Sequence, residues 1–419
     1  MKLTIKPSAV SGNVVAPPSK SMTHRALAIA ALAPGRSKVR NPLLAKDTEA
    51  TSTILQKIGV KITFGKDWLI EGGNLQAPTE ELYCGESGTT LRLMAAICAL
   101  IDGECRVTMG SSLSTRPITP LLEALEQIGV HSKAQEGYGL ATIIGTGRIN
   151  GGVARLRGDI SSQFVSALLT VAPLADSPVR IELTTKLESR PYVAMTMDVM
   201  SAFGIEAKAS HDMRRFTAPL KPYETTTLTI EGDWSSASYP LVAGAMAGDV
   251  MVKGLKPSSF QADKAMLSLL MEMGADISVT GYDVKASSST LHGIDMNLSD
   301  CPDLFPIICV LCAAADGVSH LTGLARLKLK ESDRISAMAQ GLTRMGVNIR
   351  YDKDSASIIG GPIQGSEVES FGDHRVAMSL AVLALKARGE TTIRDAECVS
   401  KSYPGFWDDL ESIGVRIKR

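Results

Sequence analysis

Apolar residues recur along the chain in two different helical patterns, and the two patterns alternate. In the first, an amphipathic segment closes on a glycine followed by an apolar residue, as in ILQKIGV and LLEALEQIGV. Such a segment predicts a helix that ends at a glycine, which tolerates the left-handed backbone conformation, with a strand following it. The pattern occurs six times, with its glycines at Gly59, Gly129, Gly204, Gly274, Gly346 and Gly414. Their spacing of 68 to 75 residues indicates six copies of one structural unit.

The second pattern is apolar nearly all round, and one such segment lies in each unit. Examples are RALAIAALAPG near the start and RVAMSLAVLALKARG near the end. A helix that is apolar on every side is buried, and about a dozen residues are too few to span a bilayer. Strand-like segments such as VRIEL and TTIRD follow these helices. Each unit therefore predicts a buried helix, an amphipathic helix and strands of mixed direction, and six units divide naturally into two domains of three.

Composition narrows the class of protein. The chain has 419 residues, of which 44% are hydrophobic, enough for two domains with large cores. Its 44 Lys and Arg residues balance 44 Asp and Glu residues, so we expect neither a broadly basic nucleic-acid-binding face nor a polybasic membrane surface. No long apolar leader opens the sequence, and seven cysteines are a sparse, odd set that does not suit a disulfide framework. We therefore expect a cytoplasmic protein with reduced thiols.

Polar residues cluster immediately before the buried helices and at the starts of the amphipathic ones. Ser, Thr and Asp at these positions are explained by ordinary helix capping. Cations are not, because the helix dipole disfavours them at an amino end. If the helices of a domain run parallel, their amino ends share one face, and a polyanionic ligand there would explain the cations. Cations lie in or near the predicted first turns at Lys20, Arg25, Arg92, Arg116, Arg190, Arg334, Arg375 and Lys401.

Other chemistries lack their motifs. The chain has no GxxxxGK[ST] loop and no strand leading into GxGxxG, so no nucleotide cofactor is expected. Cys309 and Cys312 form a CxxC pair inside an apolar helix and are interpreted as core residues, with zinc or redox use as the lesser alternative. His131, His211, His292 and His320 have no convergent partners, and His374 lies between Asp373 and Arg375 at a helix start, so no metal site is expected.

Ten segments, in order along the chain, resemble the motifs of the 5-enolpyruvylshikimate-3-phosphate synthase family of enolpyruvyl transferases. They are PPSKSMTHRALAIAAL, GESGTTLR, STRPI, GDISSQF, SRPY, EGDWSSASY, CPDLFP, KLKESDR, FGDHRVAMS and KSYPGFW. The resemblance implies an α/β fold, a two-domain inside-out α/β barrel with three units per domain, buried parallel helices and mixed sheets outside. It also supports boundaries that give residues 19–230 to a domain binding mainly shikimate 3-phosphate. Residues 1–18 and 231–419 form the other domain.

The resemblance implies transfer of the enolpyruvyl group of phosphoenolpyruvate to the 5-hydroxyl of shikimate 3-phosphate, with release of phosphate. We expect these two small molecules as partners of a monomer, without cofactor, metal, nucleic acid or membrane. By motif position, shikimate 3-phosphate would contact Lys20, Ser21, Arg25, Ser161, Ser162, Gln163, Ser189, Tyr192, Asp303 and Lys330. Phosphoenolpyruvate would contact Lys20, Gly88, Arg116, Gln163, Arg334, Arg375 and Lys401, with Asp47, Arg92 and His374 in support.

The implied reaction needs a general acid and a general base, since the methylene carbon must gain a proton while the attacking hydroxyl loses one. Asp303 in CPD matches the family's candidate base, and Glu331 in KESDR matches its candidate proton donor. Lys20 is a further candidate proton carrier. Without the resemblance, we would interpret Asp303 as a helix cap and Glu331 as an ion-pair partner of Lys330 or Arg334.

One position departs from the family pattern. Glu86 stands where many members have Asn, beside the proposed phosphoenolpyruvate pocket. A carboxylate there can pair with a neighbouring arginine or shift inhibitor affinity. Glyphosate sensitivity is therefore not predicted from this chain.

Two alternative functions remain open. The related transferase acting on UDP-N-acetylglucosamine typically has Lys-Asn near the amino end and a cysteine in the loop matching Gly110 to Arg116. Here Lys20 precedes Ser21, and the loop GSSLSTR has no cysteine. A non-catalytic two-domain protein that closes on an anionic metabolite is the alternative of another class.

Overall fold

Helices and strands follow one another in a repeating order along the chain. The computed structural model describes residues 1–135 and 139–419. The α-helices in these ranges are α1 (Lys20–Leu32), α2 (Lys46–Lys57), α3 (Gly88–Ile97), α4 (Ser111–Ser114), α5 (Thr119–Glu126), α6 (Ser162–Val171), α7 (Arg190–Ala202), α8 (Trp234–Ala247), α9 (Ala265–Glu272), α10 (Phe305–Ala314), α11 (Arg334–Arg344), α12 (His374–Leu383) and α13 (Phe406–Ser412). Short 3-10 helices span Cys98–Leu100, Ala172–Leu174, Ala262–Lys264, Pro302–Leu304, Ala325–Leu329, Ala384–Lys386 and Ala396–Lys401.

The strands are mostly short. They are β1 (Lys2–Lys6), β2 (Val10–Val15), β3 (Gly35–Arg40), β4 (Lys61–Thr63), β5 (Asp67–Gly72), β6 (Leu82–Tyr83), β7 (Asp102–Thr108), β8 (His131–Gln135), β9 (Leu140–Thr146), β10 (Gly152–Leu156), β11 (Val179–Leu183), β12 (Lys208–Ala209), β13 (Arg215–Thr217), β14 (Thr227–Thr229), β15 (Gly248–Lys253), β16 (Asp276–Thr280), β17 (Asp283–Ser287), β18 (Asp295–Asn297), β19 (Val318–Thr322), β20 (Asn348–Tyr351), β21 (Ser355–Ile359), β22 (Glu367–Glu369), β23 (Thr391–Arg394) and β24 (Arg416–Lys418). Alternate residues of a strand point to opposite faces, so each sheet has one face toward the core.

The strands of the described residues form six four-stranded sheets, which share a single topology. Their strand orders are β14-β3-β5-β4, β6-β7-β9-β8, β10-β11-β13-β12, β2-β15-β17-β16, β18-β19-β21-β20 and β22-β23-β1-β24. In each, the first two strands pair parallel and the later pairs are antiparallel. The register aligns Ala154 with Ile181 and Ile181 with Phe216, all of them buried, so the core face is continuous across strands. This confirms the predicted α/β fold of six repeated units.

The chain divides into two compact units with three sheets each. The N-terminal unit comprises residues 18–230, and the C-terminal unit comprises residues 1–17 and 231–419. Strand β1 lies between β23 and β24, and β2 pairs with β15, so the first two strands of the chain complete sheets of the C-terminal unit. Strand β14 in turn completes the first sheet of the N-terminal unit by pairing with β3.

The predicted buried helices lie at the centre of each unit. In the N-terminal unit α3 packs against both α1 and α6, and in the C-terminal unit α8, α10 and α12 pack against one another. Every residue of α1 from Met22 to Leu32 is buried. Cys309 and Cys312 are fully buried in α10, and burial raises the pKa of Cys312 to about 12, which confirms that the pair belongs to the core.

The six glycines that close the amphipathic segments all adopt positive φ, between 82° and 100°. An L-residue is strained in that conformation, whereas glycine is not. Both helix patterns are therefore confirmed. In the described part of the chain, no helix combines the length and apolarity required to span a membrane.

Two predicted helix starts were wrong. Arg116 lies between α4 and α5, and Lys401 ends the 3-10 helix Ala396–Lys401, four residues before Gly405, which precedes α13. In both places a proline follows closely, at Pro117 and Pro404. The ring of a proline disfavours the α conformation in the residue before it, which is Arg116 in the first place and Tyr403 in the second.

Candidate functional site

Three helices of the N-terminal unit, α1, α3 and α6, are capped by serines. The hydroxyl oxygens of Ser19, Ser87 and Ser161 accept hydrogen bonds from backbone N–H groups in the first turns of α1, α3 and α6. Capping therefore accounts for these serines. Lys20 is not explained by capping, since it is a cation in the first turn of α1. Its ammonium lies 2.9 Å from the Asp47 carboxylate of α2, which offsets the unfavourable dipole.

A buried hydroxyl network joins the starts of three helices. His24 Nδ1 lies 2.8 Å from Thr51 Oγ1, and Thr51 Oγ1 lies 2.7 Å from Thr90 Oγ1. Thr90 in turn donates to Ser87 Oγ at 2.7 Å. Burial, reinforced by Lys20, lowers the pKa of His24 well below its usual range, so the imidazole stays neutral. The network holds α1, α2 and α3 in fixed relation, and sequence reasoning missed it.

Two arginines lie over the start of α3. A methyl group added at Gly88 would stand 2.7 Å from Arg92 Nη1 and 3.0 Å from Arg116 Nη2. Arg92 also donates to the carbonyl oxygen of Pro117 at 2.7 Å, which fixes the loop containing Arg116. Because glycine has no side chain, an anion can approach the backbone N–H groups at this helix start beside two guanidinium groups.

Glu86 bonds to backbone amides, whereas the sequence had suggested a neighbouring arginine as one possible partner. Its carboxylate accepts from the N–H groups of Leu113 at 2.8 Å and Ser112 at 3.4 Å, at the start of α4. A carboxylate at a helix amino end is favoured by the exposed N–H groups and the dipole. Glu86 therefore fixes the short helix that leads to Arg116.

Arg25 joins α1 to α7 inside the N-terminal unit. Its side chain donates to Thr196 Oγ1 at 2.7 Å, to the Ser21 carbonyl at 2.8 Å and to the Tyr192 carbonyl at 3.1 Å. The residue is 3% exposed, and burial lowers its pKa to about 10. Most of its five N–H donors are thus engaged within the unit. The predicted site residues Ser21, Arg25 and Tyr192 are brought together.

The starts of α6 and α7 contain the other predicted polar residues of this unit. Gln163 donates through Nε2 to Thr89 Oγ1 at 3.1 Å, which links α6 to α3. Ser161 and Ser162 lie at the start of α6. Ser189 precedes α7 with φ of 54°, a left-handed conformation that is uncommon for a serine. Such outliers persist where surrounding structure holds them and are frequent at functional sites.

In the C-terminal unit, Arg334 contacts three carboxylates. It is 1% exposed and lies 2.8 Å from Asp303, 2.6 Å from Glu331 and 2.8 Å from Asp373. These acids belong to the 3-10 helix before α10, the loop before α11 and the cap of α12. The planar guanidinium suits such a set because its five donors point in fixed directions. The ion-pair interpretation of Glu331 with Arg334 is therefore what the structure shows.

Asp303 contacts three cations. Besides Arg334, it lies 2.9 Å from Arg375 and 3.1 Å from Lys330. Burial by itself would raise the pKa of Asp303, but Arg375, Lys330 and Arg334 outweigh it and hold the pKa well below its usual range. Burial also lowers the pKa of Lys330, against the opposing effect of Asp303. Asp303 is therefore ionised at neutral pH.

His374 and Lys401 lie at the margin of this cluster. His374 is buried at the start of α12, with Nδ1 3.9 Å from the Asp373 carboxylate. The Cys398 thiol is within electrostatic reach of both Asp373 and Lys401, so Lys401 is near the cluster. In the described part of the chain no hydrogen bond or ion pair joins Lys401 to it. No group of three or more His, Cys, Asp or Glu side chains among the described residues is arranged to hold a metal ion.

Comparison with known proteins gives a consistent result over the full length. The family model described as EPSP synthase (3-phosphoshikimate 1-carboxyvinyltransferase) matches residues 5–410. A 3-phosphoshikimate 1-carboxyvinyltransferase of Dehalococcoides mccartyi is 42% identical, covering 100% of this chain and 99% of that protein. One of Methanocorpusculum labreanum is 41% identical, with 100% of both chains covered.

Solved structures agree with the fold. EPSP synthase from Acinetobacter baumannii superposes with a TM-score of 0.85 at 27% identity, covering 100% of both chains. The enolpyruvyl transferase NikO from Streptomyces tendae gives a TM-score of 0.82 at 17% identity, covering 100% of this chain and 98% of that one. The second likeness concerns the fold alone.

Proposed function

The chain belongs to the EPSP synthase (3-phosphoshikimate 1-carboxyvinyltransferase) family, and on that premise we propose how its two clusters of polar residues divide the reaction. The protein is an enzyme of the shikimate pathway that transfers the enolpyruvyl group of phosphoenolpyruvate to shikimate 3-phosphate. The observation on which this rests is the family match over residues 5–410. Neither alternative, the UDP-N-acetylglucosamine enzyme or a non-catalytic binding protein, has comparable support.

The N-terminal unit is proposed to bind mainly shikimate 3-phosphate. Arg25 brings the starts of α1 and α7 together, and helix amino ends bind phosphate through their free N–H groups. The proposed contacts from this unit are Lys20, Ser21, Arg25, Ser161, Ser162, Gln163, Ser189 and Tyr192. Asp303 and Lys330 are the proposed contacts from the C-terminal unit.

Phosphoenolpyruvate is proposed to lie against Gly88, where Arg116 and the open backbone support an anion. Asp47 is proposed to orient the ammonium group of Lys20 for substrate binding through their ion pair. Arg92 is proposed to fix the loop containing Arg116. The remaining proposed contacts are Gln163, Arg334, Arg375 and Lys401, with His374 in support. Burying the charge of two phosphates and two carboxylates without such cations would be very costly.

The proposed chemistry begins with proton transfer at two atoms. Asp303 accepts the proton of the 5-hydroxyl while Glu331 gives a proton to the methylene carbon, and the hydroxyl oxygen bonds to the adjacent carbon. Phosphate then leaves the tetrahedral adduct as the carbon–oxygen bond to it breaks. The methyl group returns its proton to Glu331, and the proton held by Asp303 passes to the departing phosphate. Lys20 and the arginines stabilise the departing charge.

Glu331 must be protonated to act as the donor. In the free protein its carboxylate lies 2.6 Å from the Arg334 guanidinium. Two anionic substrates arriving nearby disfavour an additional negative charge, so we propose that Glu331 takes up its proton as they bind. Asp303 keeps its charge because three cations surround it.

We also propose that the enzyme works as a monomer in the cytoplasm. All seven cysteines are free thiols, six of them buried, which suits a reducing compartment. Analytical ultracentrifugation at several protein concentrations tests this proposal, because a monomer keeps the mass of one chain at each concentration.

The proposed function is tested by measuring inorganic phosphate released with each substrate alone and with both. Release that requires both is expected. Asp303→Asn and Glu331→Gln should each lower kcat by about 100-fold or more, while Asp295→Asn, an exposed acid on β18, should stay near wild type. Circular dichroism controls for folding. Release from phosphoenolpyruvate alone, or none with both substrates, would contradict the function; wild-type kcat in either variant would remove that residue's role.

A further inference from the structure

A buried carboxylate outside the predicted site lies beside Asp303 and the three cations that contact it, which are Lys330, Arg334 and Arg375. Asp263 belongs to the 3-10 helix Ala262–Lys264 and is 3% exposed. Its Oδ2 accepts a hydrogen bond from the Ser235 hydroxyl of α8. Its Oδ1 has no hydrogen-bond partner among the residues described. Burying a carboxylate with so little compensation is costly, so packing gives no reason for an acid here.

The hydrogen bonds that connect Asp263 to Asp303 through Ser235 and Arg375 each have a fixed donor and acceptor. Arg375 Nη1 lies 2.6 Å from Ser235 Oγ, and a guanidinium can only donate. Ser235 must therefore accept from Arg375 and direct its own single hydrogen to Asp263. Arg375 Nη2 then donates to Asp303 Oδ2 at 2.9 Å. The carboxylate of Asp263 thus fixes the orientation of the Ser235 hydroxyl. The Ser235 oxygen in turn orients the guanidinium of Arg375, which donates to Asp303.

We propose that Asp263 is a positioning residue for enolpyruvyl transfer, which acts through the Ser235 hydroxyl to orient Arg375 against Asp303. The inference rests on the proposed roles of Arg375 and Asp303. Without Asp263, the hydroxyl of Ser235 can rotate about its Cβ–Oγ bond. The lone pair of Ser235 Oγ then no longer faces Arg375. The guanidinium then loses its 2.6 Å contact with Ser235, which is one of the contacts that fix its orientation.

The electrostatic surroundings make Asp263 titrate near neutrality. The charged groups that act on it are Arg375 of α12, Asp303 of the 3-10 helix before α10, and Asp233 at the cap of α8. The Cys301 thiol is also within electrostatic reach. Burial is the largest effect and, with the two acids, raises the pKa of Asp263 to about 7 against the lowering effect of Arg375. Ionised Asp263 accepts most strongly from Ser235.

The sign of the stability effect separates positioning from packing. A carboxyl whose pKa in the folded protein exceeds its unfolded value removes stability as pH rises from about 4 to about 7. Asp263→Asn keeps an acceptor for Ser235 without the charge, so above pH 7 this variant should melt no lower than wild type. A residue needed for the fold would instead lower the melting temperature when replaced.

The test is a double-mutant cycle on steady-state kinetics. Asp263→Ala and Ser235→Ala should each lower kcat/KM for phosphoenolpyruvate by about 10- to 100-fold, and the double variant should be no worse than the poorer single one. KM for shikimate 3-phosphate should stay within about twofold of wild type. Ser238→Ala, which removes another buried hydroxyl of α8 that donates to the Ser235 carbonyl, is the matched control and should stay near wild type.

A second readout is the pH profile. Wild-type kcat/KM should show an inflection near pH 7 that Asp263→Asn lacks. If Asp263→Ala does not fold, the pH profile of Asp263→Asn and the kcat/KM of Ser235→Ala still test the inference. Multiplicative losses in the cycle, single variants within twofold of wild type, or an unchanged inflection in Asp263→Asn would each overturn the inference. An inactive wild-type protein would instead count against the proposed function.

Discussion

Replacing Arg334 with methionine should destabilise the C-terminal unit severely. The side chain pairs with Asp303, Glu331 and Asp373 at 2.6 to 2.8 Å and is 1% exposed, so methionine leaves three nearby carboxylates with reduced compensation. Breaking a buried ion pair from one side costs about 3–5 kcal/mol. We expect a loss in that range, because Asp303 keeps Arg375 and Lys330 as partners.

Tryptophan fluorescence can follow the C-terminal unit by itself. Trp234 and Trp407 lie in that unit and Trp68 in the other, so a Trp68→Phe background leaves reporters in the C-terminal unit alone. With a urea m-value of about 2 kcal/mol/M, a loss near 4 kcal/mol lowers the midpoint by roughly 2 M. Arg344→Met, an exposed arginine at the end of the same helix, is the matched control and should shift stability by about 0.5 kcal/mol or less.

The loss in Arg334→Met should also depend on pH. Arg334 helps to hold the pKa of Asp303 below its unfolded value, so its stabilisation is present above about pH 4 and disappears as pH falls through the folded pKa. The deficit relative to wild type should therefore be larger at pH 7 than at pH 3. A deficit below about 1 kcal/mol, or one that does not shrink in acid, would refute the reasoning.

Three further measurements check other contacts. Gly88→Ala places a methyl group against the guanidinium groups of Arg92 and Arg116 and should raise KM for phosphoenolpyruvate about tenfold with little change for shikimate 3-phosphate; equal changes in both would contradict this. Arg25→Lys cannot keep the bonds to Thr196 and two carbonyls together, so urea unfolding should show a loss of about 2–3 kcal/mol. A thiol reagent at pH 8 should label the native protein slowly, since six cysteines are buried and burial raises the pKa of Cys398 to about 11; rapid labelling of several thiols would count against this packing.

The sequence by itself determined the repeated architecture. Glycines such as Gly59 mark helix ends because positive φ is a local requirement, and an apolar surface on every side of α1 can be satisfied only by burial. These are properties of short segments, so they are visible without knowing the neighbours. The restriction on Arg116 and Tyr403 was also local, since Pro117 and Pro404 were visible in the sequence.

Tertiary structure alone decided which polar side chains meet. Arg25 and Thr196 are 171 positions apart, and Arg375 and Ser235 are 140 apart, yet each pair is hydrogen bonded. At a helix start a serine or aspartate looks the same in sequence whether it caps its own helix or contacts another, as Asp263 shows. The difference depends on how helices from separate repeats pack, and packing depends on long-range contacts that no local pattern encodes.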